Sequence, residues 1–464
     1  MRHSCAAFGR ETGGALSARL GRAILPLFLV ILSSGGVLPH ASTPRDLPGA
    51  SPMAVMEESL SHRPLWLTPA TIVPVPAPAE LARAGRLRPH ELFAFAPYWT
   101  LDRAAAFNMR GLTTVAYFGV DVAGNGRLIR EGTGWEGYES QQLAELISRA
   151  HKAGIRVVLT AKTFHADSLH QLATDRTAAA RLGRELGAAI KAKNLDGANL
   201  DFEGFGTQDR ARFPRFIDGV TKALHQQDEA WQVTVDTYVS SAQVEDTFYD
   251  VRAISRVVDA LFVMGYDMYA SGVASPNAPL PRYQTAIEAY IAKVPAAKII
   301  LGTPFYGYDW PTVSNAPHAR ATGPKTPITY ADIVGAGWPR YWDVDAQSPW
   351  TAYKVGSQWH EVYYDDPSSL SQKAHLAAAY RVRGMGAWAL GMEGADARLI
   401  QALLGKAVSI LNGPAGPARS VAAPKPTTSS SPKSSPKAKP KPKPSPSASP
   451  SPSETPLPVP LPTI

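Results

Sequence analysis

Only one of the 464 residues is a cysteine, Cys5, and it lies close to the start of the chain. A disulfide framework is therefore excluded, and a chain trimmed of its leader would have no thiol nucleophile. The 11 histidines include no H-E-x-x-H pair, and His165 with His170 reads as loop surface. Neither a phosphate loop nor a G-x-S-x-G elbow is present. No metal and no cofactor are expected. Excess charge is also missing from the centre of the chain. Of the formal net charge of +8, residues 1–50 carry +3 and residues 413–464 carry +6, which leaves about −1 between them. A basic surface for nucleic acid is thus not expected on the folded part.

Long hydrophobic runs are equally scarce. Arg19 and Arg22 precede the apolar run Ala23 to Leu32, which fades through Ser33, Ser34, Gly35 and Gly36 to Ala41. That layout matches a secretory signal peptide over residues 1–41, and the run is short for a membrane span. Export is expected, with an N-terminal membrane anchor as the alternative. Residues 42–90 are rich in proline and read as a linker or pro-region, with order beginning near Leu92. After Leu411 the chain turns to Pro, Ser and Lys, and residues 413–464 are expected to be an extended, disordered tail. Its lysines suit an anionic cell wall electrostatically, and a solvated spacer is the plainer reading.

Between these ends, apolar runs alternate with amphipathic stretches. Strands are expected at Leu92–Pro97, Thr113–Phe118, Ile155–Thr160, Gly197–Phe202, Gln232–Thr237, Ala260–Gly265, Ile299–Pro304 and Met385–Leu390. Leu143, Leu146, Ile147 and Ala150 recur at helical spacing, as do Phe213, Phe216, Ile217, Val220 and Leu224. Eight strands with intervening helices over residues 91–412 predict an α/β TIM (β/α)8 barrel, with a doubly wound sheet as the alternative. The stretch 308–383 is too long for a simple connection and is expected to form a small α+β insertion between strands 7 and 8, walling one side of a cleft.

The fourth strand carries the densest chemistry. In Asp196-Gly197-Ala198-Asn199-Leu200-Asp201-Phe202-Glu203, the residues Asn199, Asp201 and Glu203 share one face because strand side chains repeat every two residues. The sequence resembles the signature D-G-x-D-x-D-x-E of family-18 glycoside hydrolases, the chitinase and endo-N-acetylglucosaminidase family, in which Asn is tolerated for the middle Asp. Met264-Gly265-Tyr266-Asp267 after the sixth strand resembles the family's M-x-Y-D motif. Trp388, in the eighth strand, matches the tryptophan that floors the sugar site.

The resemblance implies a retaining mechanism in which the substrate's N-acetyl oxygen attacks the anomeric carbon. Glu203 would be the general acid and base, Asp201 would orient the acetamido group, and Tyr266 would hydrogen-bond its oxygen. Asp267, Met264, Asn199, Tyr98 and Tyr306 are candidate substrate contacts, and Trp350 is a further aromatic near a strand end. Burial and Asp201 would raise the pKa of the acid. Asn199 is expected to hydrogen-bond Asp201 without sharing a proton.

Where chitinases of the family often carry S-x-G-G on the second strand, this chain has Ala116-Tyr117-Phe118-Gly119. Together with Asn199 and the segments from Asp343 to Trp350 and Asp365 to Ser369, this looks more like the bacterial branch that trims spore or wall peptidoglycan. The expected substrate is therefore a polysaccharide containing β-1,4-linked N-acetylglucosamine, either chitin or peptidoglycan, cut by a monomeric enzyme. A non-catalytic, lectin-like wall protein is the alternative.

Overall fold

The computed structural model describes residues 52–61 and 65–405. The expected signal peptide and Lys-rich tail lie outside the described residues. Eight parallel strands close into a barrel: β1 (Glu91–Pro97), β2 (Thr114–Asp121), β3 (Arg156–Thr163), β4 (Gly197–Phe202), β5 (Gln232–Tyr238), β6 (Ala260–Met264), β7 (Ile299–Pro304) and β13 (Gly384–Trp388). Each follows its sequence neighbour around the ring, and β13 closes it between β7 and β1. This is the TIM topology, and the doubly wound alternative is excluded.

Every residue of these strands is buried except Asp121, Tyr238 and Gly384, which are half-buried. Full burial on both faces explains why they read as nearly continuous apolar runs. The barrel interior is aromatic. Phe262 meets Phe95 edge to face at 4.9 Å and Phe93 at 5.5 Å between ring centroids. Space for that ring comes from Gly302 and Gly386 on the next two strands, where an added Cβ would lie 2.6 and 2.2 Å from it. On the outside, amphipathic helices cover the strands. The helix Gln141–Lys152 buries Leu143, Leu146, Ile147 and Ala150, and Ser140 caps it by accepting from the Leu143 amide.

The insertion is an antiparallel sheet of β8 (Tyr306–Thr312), β9 (Thr326–Thr329), β10 (Tyr341–Asp343), β11 (Ser348–Val355) and β12 (Gln358–Tyr363), in the order β10-β11-β12-β8-β9. A helix, Tyr330–Gly335, follows β9, so the unit is α+β. It ends earlier than the expected 383. The helix Pro367–Ala379 belongs to the barrel and opens on a capping box in which Asp366 accepts from the Ser368 and Ser369 amides.

The proline-rich stretch before Leu92 differs from a free linker. Val75 donates its amide to Ser148 Oγ at 3.0 Å and gives its carbonyl oxygen to His151, while Asn194 Nδ2 donates to the Pro74 carbonyl at 2.8 Å. Proline removes donors from this strap, and side chains of the barrel satisfy the carbonyls that remain. Upstream, Pro52–Leu60 forms a helix with Met53 and Met56 fully buried.

Candidate active site

The β4 motif is anchored from below. Asp196 Oδ2 accepts the Val157 amide at 2.7 Å and pairs with His151 Nε2 at 2.9 Å, locking the start of β4 to β3 and to the flanking helix. Gly197 adopts φ +143° and lies so close to β5 that an added Cβ would fall 2.0 Å from the Gln232 carbonyl oxygen. From that base the strand alternates. Phe202 turns outward against Phe213 and Phe216 at 6.3 and 5.9 Å, and Asn199, Asp201 and Glu203 take the opposite face.

All three polar residues are wholly inaccessible to solvent, yet they have different partners. Asn199 does not bond to Asp201 as expected. Its Oδ1 accepts from Thr234 Oγ1 at 2.7 Å, and its Nδ2 donates to Asp236 Oδ2 at 2.7 Å. The reason is spacing: same-face neighbours along one strand stand roughly 7 Å apart, whereas a register partner on the next strand is roughly 5 Å away, and Thr234 is the register partner of Asn199. Asn199 thus lies beneath the site and is held by β5.

Asp201 instead neighbours Asp236, each following a member of the register pair Leu200–Val235 on β4 and β5. Its carboxyl is held well above the usual range by burial first and by the Asp236 charge second, with Lys162 pulling the other way. Asp236 is raised in the same direction, mainly by burial, with Asn199 opposing and Glu203 adding to it. Lys162, the register partner of Asp201 on β3, is buried and bonds Asp121 Oδ1 at 2.6 Å and Glu57 Oε1 at 3.0 Å.

The remaining expected residues gather at the same end of the barrel. Tyr266 follows β6, and burial first, then the charges of Asp236, Glu203 and Asp201, push its phenol well above its usual range. Asp267 takes a left-handed backbone, φ +58°, which acidic and amide residues tolerate better than most. Its Oδ1 accepts from Tyr306 at 2.6 Å and Tyr308 at 2.9 Å, and its amide donates to Asn277 Oδ1 at 2.7 Å. Met264 ends β6 and is buried. Trp388 is fully buried among Phe118, Phe95 and Trp99, with centroids at 4.8, 5.1 and 6.2 Å. Tyr98 packs on Trp99 at 4.8 Å and hydrogen-bonds Glu57 and Ser61. Trp350 stays in the insertion, packed on Tyr341 and Tyr363.

An acid, a second carboxylate two residues before it, a phenol and an indole now converge where eight parallel strands end. The profile of the glycosyl hydrolases family 18 matches residues 92–393. The chain belongs to this family. Human di-N-acetylchitobiase is 29% identical over 354 residues, covering 70% of this chain and 84% of that protein. A cortical fragment-lytic enzyme of Bacillus subtilis is 28% identical over 227 residues, covering 48% and 52%. The chain therefore spans about half the length of that relative. Among solved structures, a chitinase from Chromobacterium violaceum superposes with a TM-score of 0.58 at 25% identity, covering 68% of this chain and 98% of that one.

This family-18 glycosidase contains site residues that motif reading did not single out: Asp236, Lys162, Asn277 and Tyr308. Asp236 and Lys162 sit inside strands recognised from their apolar neighbours, so a polar side chain at an inward position was the available signal. Which inward positions meet depends on barrel register. Among the described residues no group of three or more His, Cys, Asp or Glu is placed to hold a metal ion.

Proposed function

We propose that this enzyme cleaves β-1,4 bonds of N-acetylglucosamine-containing glycans with retention, using the substrate's own acetamido group as nucleophile. The observation that carries this reading is the fully buried Asp201, Glu203, Tyr266 and Trp388 at one end of the barrel. An oxocarbenium-like transition state needs a proton at the leaving oxygen and stabilisation at the anomeric carbon. Glu203 donates that proton. Asp201 accepts the acetamido N–H and turns its carbonyl oxygen toward the anomeric carbon, where the new C–O bond forms as the glycosidic bond breaks. Tyr266 donates to the same oxygen. Water then attacks the anomeric carbon, Glu203 takes its proton back from that water, and the acetamido carbonyl is restored. Trp388 supplies an apolar face on which the CH groups of a pyranose stack.

The bacterial cortex-lytic relative favours peptidoglycan and the chitobiase relative favours chitin fragments. The leader at residues 1–41 supports export, and the lysine tail supports an association with an anionic wall. A sugar-binding protein without activity is the other reading of this fold, since a chitinase-like agglutinin from Robinia pseudoacacia superposes with a TM-score of 0.59 at 21% identity. Glu203 weighs against it, because binding alone needs no buried acid.

The test is digestion of chitin oligosaccharides and purified peptidoglycan, with mass spectrometry of the products and Glu203→Gln as control. Cleavage of one glycan by the unaltered protein only is expected. Release of the same products by Glu203→Gln would remove Glu203 from the mechanism.

A further inference from the structure

We propose that Asp236 is a positioning residue that keeps the proton Asp201 must give up when it turns to the acetamido group. This deepens the catalytic reading above and rests on it. The argument starts from three buried side chains on two strands. Thr234 Oγ1 donates to the Asn199 carbonyl oxygen, and Asn199 Nδ2 donates in turn to Asp236 Oδ2. One oxygen of Asp236 is thereby held, and Asp236 follows Val235 as Asp201 follows its register partner Leu200, so the two carboxyls stand side by side on adjacent strands. Two carboxyl groups side by side and removed from water cannot both be ionised, so they share a proton.

The identity of residue 199 now has a physical reason. A third carboxylate there would add another charge to a sealed cluster, whereas an amide orients Asp236 at no charge. When Asp201 is drawn to the acetamido N–H, the shared proton stays on Asp236, so Asp201 leaves as carboxylate and Asp236 remains neutral. On return, the proton is shared again, and no proton enters or leaves the pair. The other titratable groups facing the pair are Lys162, Glu57, Glu203, Tyr238, Tyr249 and Tyr266.

The experiment compares the full chain with Asp236→Asn, an isosteric change, by pH profiles of kcat and KM. It adds 13C NMR titration of labelled aspartate carboxyls, assigned with Asp201→Asn. In the variant, kcat is expected to fall on the order of 10²-fold with KM little changed, and the second ionisation of the pair, in which the shared proton is lost, vanishes from the profile because a single carboxyl remains. In the unaltered protein the two carboxyls titrate as a coupled pair. Independent titration of Asp201 in both proteins, or a pH profile that keeps its shape, overturns the proposal. The NMR result decides the shared proton even if no glycan is cleaved, which would overturn the catalytic reading alone.

A separate observation carries a second inference. The N-terminal helix Pro52–Leu60 lies against β9 of the insertion and reaches the β1–β3 rim of the barrel. Met53 and Met56 are fully buried while Glu58 and Ser59 face solvent. Glu57 binds Lys162 and Tyr98, and its charge reaches Asp201. We infer that residues 52–61 are a tethered occupant of the glycan cleft and must leave before a polysaccharide enters.

Binding of chitotetraose is measured to Glu203→Gln and to Glu203→Gln/Met53→Glu/Met56→Glu, with hydrogen exchange followed along the helix. The triple variant is expected to bind at least tenfold more tightly, roughly 1.4 kcal/mol, and exchange in residues 54–61 quickens when sugar saturates the single variant. Equal affinities, or a helix that stays protected in the saturated complex, overturn the inference. Absence of binding to both proteins overturns it together with the proposed substrate class.

Discussion

Shortening the two buried methionines of the N-terminal helix should activate the enzyme. Met→Ala keeps Cβ and removes three apolar groups, each worth about 0.8 kcal/mol when fully buried, so two substitutions weaken docking by an upper bound near 5 kcal/mol. An undocked helix keeps part of its methionine surface covered, which brings the figure to about 2–4 kcal/mol. At about 1.4 kcal/mol per factor of ten, the balance moves toward the undocked form by roughly 30- to 1000-fold. Glu57 weighs less, because Lys162 keeps its 2.6 Å contact with Asp121 when Glu57 becomes Gln.

Activity follows the open fraction, so kcat/KM of Met53→Ala/Met56→Ala rises by the same factor until most molecules are open and then levels off. Initial rates on a fluorogenic chitin oligosaccharide measure this, with Glu58→Ala on the exposed face of the same helix as control. The reasoning fails if the double variant is no faster than the unaltered chain, or if Glu58→Ala accelerates it equally.

Other consequences can be checked on stability. Gly197→Ala places a methyl 2.0 Å from the Gln232 carbonyl oxygen at φ +143°, so a loss of about 3–5 kcal/mol is expected in urea unfolding. Lys373 and Asp365 form a fully buried ion pair between the helix Pro367–Ala379 and the residue two before its start. Lys373→Met alone should cost about 3–5 kcal/mol, and adding Asp365→Leu should restore most of it, because the penalty lies in the stranded charge. His151 is buried, and although desolvation opposes its charged form, Asp196 and the Val75 carbonyl raise its pKa above 6.5. Its contribution to stability is therefore complete below about pH 6.5 and disappears as pH rises through the raised value. Denaturation midpoints at pH 6 and pH 9 should differ more in the unaltered protein than in His151→Gln.

The strands around the site were legible because burial on both faces of a parallel barrel writes itself locally as short apolar runs. Expected boundaries shifted by only one to three residues, mostly where polar ends such as Lys162 and Asp121 extend a strand into the site. The β4 motif was legible for the same reason: a period of two is a property of one strand, so the shared face of Asn199, Asp201 and Glu203 needed no knowledge of neighbours. The insertion is visible as excess length, and its end is set by Asp366 and Ser369, which cap the helix that follows it.

What no local pattern could supply is the pairing between strands. Asn199 meets Asp236 across 37 positions of sequence only because β4 and β5 adopt one register, and that register moved its hydrogen bonds away from Asp201. Gly302 and Gly386 are legible as glycines, but their reason is the Phe262 ring that the closed barrel places between them. The helix at Pro52–Leu60 sits in a stretch whose prolines announce a linker, and its methionines are buried by surfaces built from residues far along the chain. The sequence by itself determined the barrel, the family and the shared face of Asn199, Asp201 and Glu203, because each follows from spacing within one segment. Tertiary structure alone decided which carboxylates touch and what covers them, because those depend on distances across the closed barrel.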